Sequence, residues 1–164
     1  MLRDKSLIPL SHQHQHALAL CVRIDRAQPI PVADLPAWQT EIERDFANEI
    51  RIHFSAEEQV LFPAASQFAE LIPLIKELIT DHASLREYFL QAETRRMSAE
   101  SLPIFAQQLS AHIRKEESQL FERLQQLMTA NELTALGGKL EAALKDAAKA
   151  CVLTSEATRL KPKK

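Results

Sequence analysis

The chain has 164 residues, 46% hydrophobic and 26% charged, with two glycines and a formal net charge of −2. That is enough for one domain with its own core and too little for two ordinary ones. The near-neutral balance excludes electrostatically driven nucleic-acid binding, and the absence of any run of about 18 apolar residues excludes a membrane-spanning helix.

The N-terminal stretch Met1-Leu-Arg-Asp-Lys-Ser lacks the apolar core of a signal peptide, so the expected location is cytoplasmic. Apolar residues then recur at helical intervals in four long segments separated by short breaks rich in proline or small polar residues. This is the pattern of an all-α, up-down-up-down four-helix bundle. The first helix is expected to start near Ser11, as N-cap after Pro9, and to run to about Arg26, with the stripe Leu7, Leu10, His14, Ala17, Cys21, Ile24. The second should follow Asp34, carry Pro36 in its first turn and reach about Leu61, where Pro63 stops or bends it. Its stripe is Ile42, Phe46, Ile50, His53, Glu57, Leu61.

The third is expected over Leu71 to Arg95, with the stripe Leu71, Ile75, Leu78, His82, Leu85, Phe89. The fourth, capped near Ser98, should reach about Met128 with the stripe Leu102, Phe105, Leu109, His112, Glu116, Leu120. The bundle domain is thus expected over 7–128. Beyond it, 131–150 reads as a short additional C-terminal capping helix, weakened by Gly137-Gly138 at roughly 1 kcal/mol per glycine. The remainder, 151–164, reads as a disordered tail. Cys21 and Cys151 are too differently placed to suggest a structural disulfide.

Every stripe carries one histidine, and two carry a glutamate one turn later. His53-Phe-Ser-Ala-Glu57-Glu-Gln-Val-Leu-Phe62 returns as His112-Ile-Arg-Lys-Glu116-Glu-Ser-Gln-Leu-Phe121. Residues i and i+4 share a helix face, so each copy aims an imidazole and a carboxylate at one point. The halves also match in order, a helix bearing His14 or His82 preceding one bearing His-x-x-x-Glu, which implies approximate internal two-fold symmetry. A lone core histidine is ordinary. Two buried carboxylates with no lysine or arginine on any stripe are not, because each costs several kcal/mol unless a cation compensates it.

His14, His53, Glu57, His82, His112 and Glu116 are therefore the expected metal ligands, a nitrogen and oxygen set suited to iron, manganese or zinc. Six donors fit two metals bridged by Glu57 and Glu116 better than one closed site. His12 and His16 point off the stripe and read as surface or supporting residues, with a separate surface metal site as the alternative. Glu58 and Glu117 lie about 100° off the stripe and read as solvated or supporting groups. Phe46, Phe62, Phe89, Phe105 and Phe121 read as core, and Ile50, Leu78, Leu85 and Leu109 as the aliphatic wall of a small-ligand pocket. No side chain is required as a catalytic nucleophile.

At these residues the chain resembles the hemerythrin-like, or HHE cation-binding, domain family. The shared segments are Leu10-Ser-His-Gln-His14, His53-Phe-Ser-Ala-Glu57-Glu-Gln-Val-Leu-Phe-Pro63, Thr80-Asp-His82-Ala-Ser-Leu-Arg and His112-Ile-Arg-Lys-Glu116-Glu. The resemblance spans Leu7 to Met128 and implies a four-helix bundle around a non-haem, carboxylate-bridged di-iron centre, with zinc or manganese as substitutes. Oxygen-carrying members place a further histidine one turn after that of the third helix, where this chain has Arg86, and use an aspartate five residues after the last histidine, where it has Glu117 after Glu116. Those departures speak against reversible oxygen carriage, and the resemblance then implies a protein that meets oxygen, nitric oxide or peroxide in stress response or sensing, with an unidentified redox or protein partner. The alternatives are a non-catalytic iron-responsive interaction module and a metal-free interaction bundle.

Overall fold

The computed structural model describes residues 2–159, with side chains described as far as residue 145. All regular structure among the described residues is helical. Helix α1 is Ile8–Arg26. A second rod is built from α2 (Leu35–Asp45), a π-helical segment Phe46–Ile50, α3 (Arg51–Ala56), a second π-helical segment Glu57–Leu61 and α4 (Phe62–Ala65). Helix α5 is Ile72–Glu93. The fourth rod joins α6 (Ser101–Lys115), a π-helical segment Glu116–Phe121 and α7 (Glu122–Leu127), and α8 is Ala130–Arg159.

Cross-rod pairs fix the antiparallel order. Arg23 meets Glu41 and Gln13 meets His53 between the first and second rods. Glu43 meets Arg95 and Glu58 meets His82 between the second and third. Glu77 meets Lys115 and Ser84 meets Gln108 between the third and fourth, and His14 meets Glu117 to close the ring. The expected up-down-up-down bundle is thus observed.

Boundaries differ in instructive ways. Ser11 is not the first cap: α1 begins at Ile8, because Pro9 is accommodated in a first turn whose N–H groups have no helical partner anyway. Nor does Pro63 end the second rod, which continues to Ala65. The widened turns of the π-helical segment just before it relieve the crowding that a proline ring imposes on the carbonyl four residues back. Ser98 behaves as expected, its Oγ accepting the Ser101 N–H at 3.2 Å.

Helix α8 is longer than the 131–150 anticipated. The tail expected over 151–164 falls on residues whose side chains or positions lie outside those described, as does Cys151; Cys21 is buried and free. Gly137 does not break α8. A Cβ there would stand 2.7 Å from the Ser6 Cβ, so the glycine permits the helix to lie directly on the N-terminal segment.

The interior is layered. Around Leu20, Ile24, Ile42, Phe89, Leu102 and Phe105 lies one apolar cluster. Around Leu7, Leu10, Leu61, Leu78, Phe121, Leu136 and Leu140 lies another, which α8 helps to close. Between them the four histidines and two glutamates form a buried polar slab.

Candidate metal centre

Six residues from four rods converge on this slab. His14 comes from α1, His53 and Glu57 from the second rod, His82 from α5, and His112 and Glu116 from the fourth. None is more than 4% exposed, and both glutamates are at 0%. Their donor atoms form two groups, His14, His53, Glu57 and Glu116, and His82, His112, Glu57 and Glu116; within each group all lie within 4.8 Å of one another. The structure therefore brings together all six residues expected from the sequence, with both carboxylates common to the two groups. Glu57 and Glu116 each open a π-helical segment, so the backbone widens where the motif delivers its carboxylate.

Each imidazole is held from behind. His14 Nδ1 lies 2.7 Å from Glu117 Oε1, His82 Nδ1 2.8 Å from Glu58 Oε1 and His53 Nδ1 2.8 Å from Gln13 Oε1. His112 Nδ1 reaches Asp81 Oδ2 at 3.5 Å, the limit of a useful bond. Carboxylate and amide oxygens only accept, so every Nδ1 is the protonated nitrogen and every Nε2 faces the centre. Glu58 and Glu117, expected as solvated or supporting groups, perform this holding for His82 and His14. Gln13 and Asp81 were not expected. Each precedes a histidine of the cluster in sequence but grips the ring of a different rod, a relation that one-helix periodicity does not contain.

At the centre the Nε2 atoms meet in pairs, His14 with His53 at 2.9 Å and His82 with His112 at 3.1 Å. Glu57 Oε1 is 3.0 Å from His53 Nε2, and its Oε2 is 3.3 Å from His82 Nε2. Glu116 Oε2 is 3.1 Å from His14 Nε2 and 3.3 Å from His112 Nε2. Yet none of the four carboxylate oxygens makes an aligned hydrogen bond. The nitrogens and oxygens converge on a shared volume, where the charge of two buried carboxylates must be balanced either by a protonated histidine or by a bound cation.

Electrostatics agree with this geometry. Burial alone would lower the His14 pKa, but the Glu116 and Glu117 carboxylates outweigh it and raise it to about 10. His82 is likewise raised, burial being outweighed by Glu57. Burial would raise the Glu57 pKa, but His53 and His82 hold it well below the usual carboxylate range.

A small pocket reaches the slab from the side, lined in part by Gln13, Ile50, His53, Phe54, Leu109 and Ile113. Its volume of about 10 Å³ is about what one water needs. Ile50 and Leu109 belong to this wall as expected. Leu78 and Leu85 do not line it; they are buried in the two apolar clusters on either side of the slab. Phe54, absent from the expected core, stacks on His82 with ring centroids 3.8 Å apart. His12 and His16 are exposed, and His16 Nδ1 faces Glu49 at 3.0 Å. Among the described residues no metal-ligand grouping includes either.

Comparison with curated proteins gives no match, and neither does comparison with solved structures. The model of the hemerythrin HHE cation-binding domain family matches residues 9–124, from the first turn of α1 into α7. With that span covering most of the chain and all six clustered donors, the protein belongs to the hemerythrin HHE cation-binding domain family.

Proposed function

We propose that the slab holds two iron ions bridged by Glu57 and Glu116, and that the centre handles oxygen, nitric oxide or peroxide in stress response or sensing in the cytoplasm. The observation that carries the two-metal reading is the pairing of inward-facing Nε2 atoms at 2.9 and 3.1 Å beside carboxylate oxygens without aligned partners. Two such lone pairs do not face each other stably without a positive charge between them. Glu57 offers one oxygen toward each histidine pair, the disposition of a bridge.

The donor set of imidazole nitrogens and carboxylate oxygens suits iron, manganese or zinc, and iron is chosen on the family match. Ferrous iron in that place supplies an electron and an exchangeable coordination position to a small oxidant. The protein's own part is to exclude. Ile50, Phe54, Leu109 and Ile113 keep the approach apolar and too narrow for more than a few atoms, while the four Nδ1 contacts hold the rings in register.

The test is elemental analysis of anaerobically purified protein, followed by its visible spectrum as oxygen or nitric oxide is added. Two irons per chain and a band that changes with the added gas are expected. Absence of bound metal, or a spectrum indifferent to both gases, overturns the reading.

A further inference from the structure

His14 and His82, the two clustered histidines outside the His-x-x-x-Glu motifs, are held by corresponding assemblies. Arg86 donates to Glu58 at 2.7 Å, Glu58 holds His82 Nδ1, Arg86 lies over the Phe54 ring at 5.4 Å, and Phe54 stacks on His82. On the other side, Arg3 donates to Glu117 at 2.6 Å, Glu117 holds His14 Nδ1, Arg3 lies over the Phe121 ring at 5.1 Å, and Phe121 lies near-parallel to His14 at the longer centroid distance of 5.6 Å. Each guanidinium thus fixes both the acceptor behind a ligand histidine and the ring against its face. Lysine would not reproduce this, since it lacks the planar fork.

The assemblies differ in origin. Arg86 lies one turn after His82 on α5, so folding of that helix delivers it. Arg3 precedes α1 and is brought in by the N-terminal segment, which Gln125 holds through Arg3 and the Asp4 N–H, and which α8 touches at Ser6 and Gly137.

We infer that Arg3 and Arg86 are positioning residues, one for each metal position, and that the His14-side position is conditional on docking of the N-terminal segment beneath α8. This rests on the two-metal reading above. Metal at His14 and closure of the N-terminal segment against α8 then favour each other, each strengthening the other by the same factor. The His82 side has no such dependence.

Cobalt(II) binding to the full-length protein tests this, followed by equilibrium dialysis and visible absorption, with far-UV circular dichroism as the fold control. Wild type should take two Co²⁺. Arg3→Met, which keeps an apolar chain over Phe121, and Arg86→Met should each weaken one equivalent by about 10- to 100-fold and perturb its spectrum. Gly137→Ala should weaken the same equivalent as Arg3→Met, so that Arg3→Met/Gly137→Ala still retains one tight Co²⁺ while Arg3→Met/Arg86→Met retains none. Two wild-type affinities in Arg3→Met, or equal weakening of both equivalents, overturns the inference while leaving the metal reading intact. A wild type that binds no Co²⁺ removes the metal reading and this inference with it. Should Arg3→Met lose helix content, hydrogen exchange of residues 2–7 in wild type decides instead: slowing on Co²⁺ addition is expected, and indifference counts against the linkage.

Discussion

His14 shows how one side chain can serve two cations. Its pKa of about 10 lies above the ordinary value of 6.5, so in metal-free protein its contribution to stability is complete below pH 6.5 and is lost as pH rises toward 10. Glu57 moves the other way from 4.5, and its contribution is present above that pH and lost as pH falls through its lowered value. Chelator-treated protein should therefore melt highest between about pH 4.5 and 6.5. Circular dichroism melts at stepped pH will show it, and a midpoint climbing from pH 6.5 toward 10 contradicts the assignment. Metal needs the same Nε2 deprotonated, so metal-loaded protein should release its ions on mild acidification. Replacing Glu57 or Glu116 by alanine should abolish tight metal binding, since each removes donors from both groups; dialysis against Co²⁺ checks this. That these six residues cluster was legible from stripe position, but the groups that hold the histidines were not. Glu117 and Glu58 could be seen as neighbours, whereas Gln13 acting on His53 and Asp81 on His112 depend on inter-rod register.

At the scale of elements, the helices were legible because a proline in a first turn and an apolar stripe are local signals. The π-helical segments were not. The stripe residues Ile50, His53, Glu57 and Leu61 nonetheless stay buried, and Phe54 and Ala56 are buried beside them because the rod is covered on more than one stripe. Ala56 also packs in the cluster containing Leu136 and Leu140, a second buried side of the same rod that only α8 creates. The paired glycines of α8 give a sharp contrast. A Cβ at Gly138 would meet no atom within 4 Å, so Gly138→Ala should stabilise by up to about 1 kcal/mol, whereas Gly137→Ala meets Ser6 and should destabilise. Urea unfolding of the two variants distinguishes them, and equal shifts would mean that α8 does not rest on Ser6.

For the whole molecule, antiparallel order was legible from short breaks between periodic segments, while the placement of α8 was not, because its apolar face could have covered any pair of rods. Metal binding to the folded state alone should raise stability by about 2.7 kcal/mol at a free concentration 100 times the dissociation constant. A chelator should lower the thermal midpoint accordingly, which differential scanning calorimetry reads directly; an unchanged midpoint would mean that the ions bind the unfolded chain equally well. The polar slab divides the interior into two apolar compartments that share rods but not a continuous core. A bundle built this way has a waist. Deprived of its ions, it should loosen there first, each compartment keeping its own slowly exchanging amides, so that the cation serves as the rivet through which two half-cores melt as one.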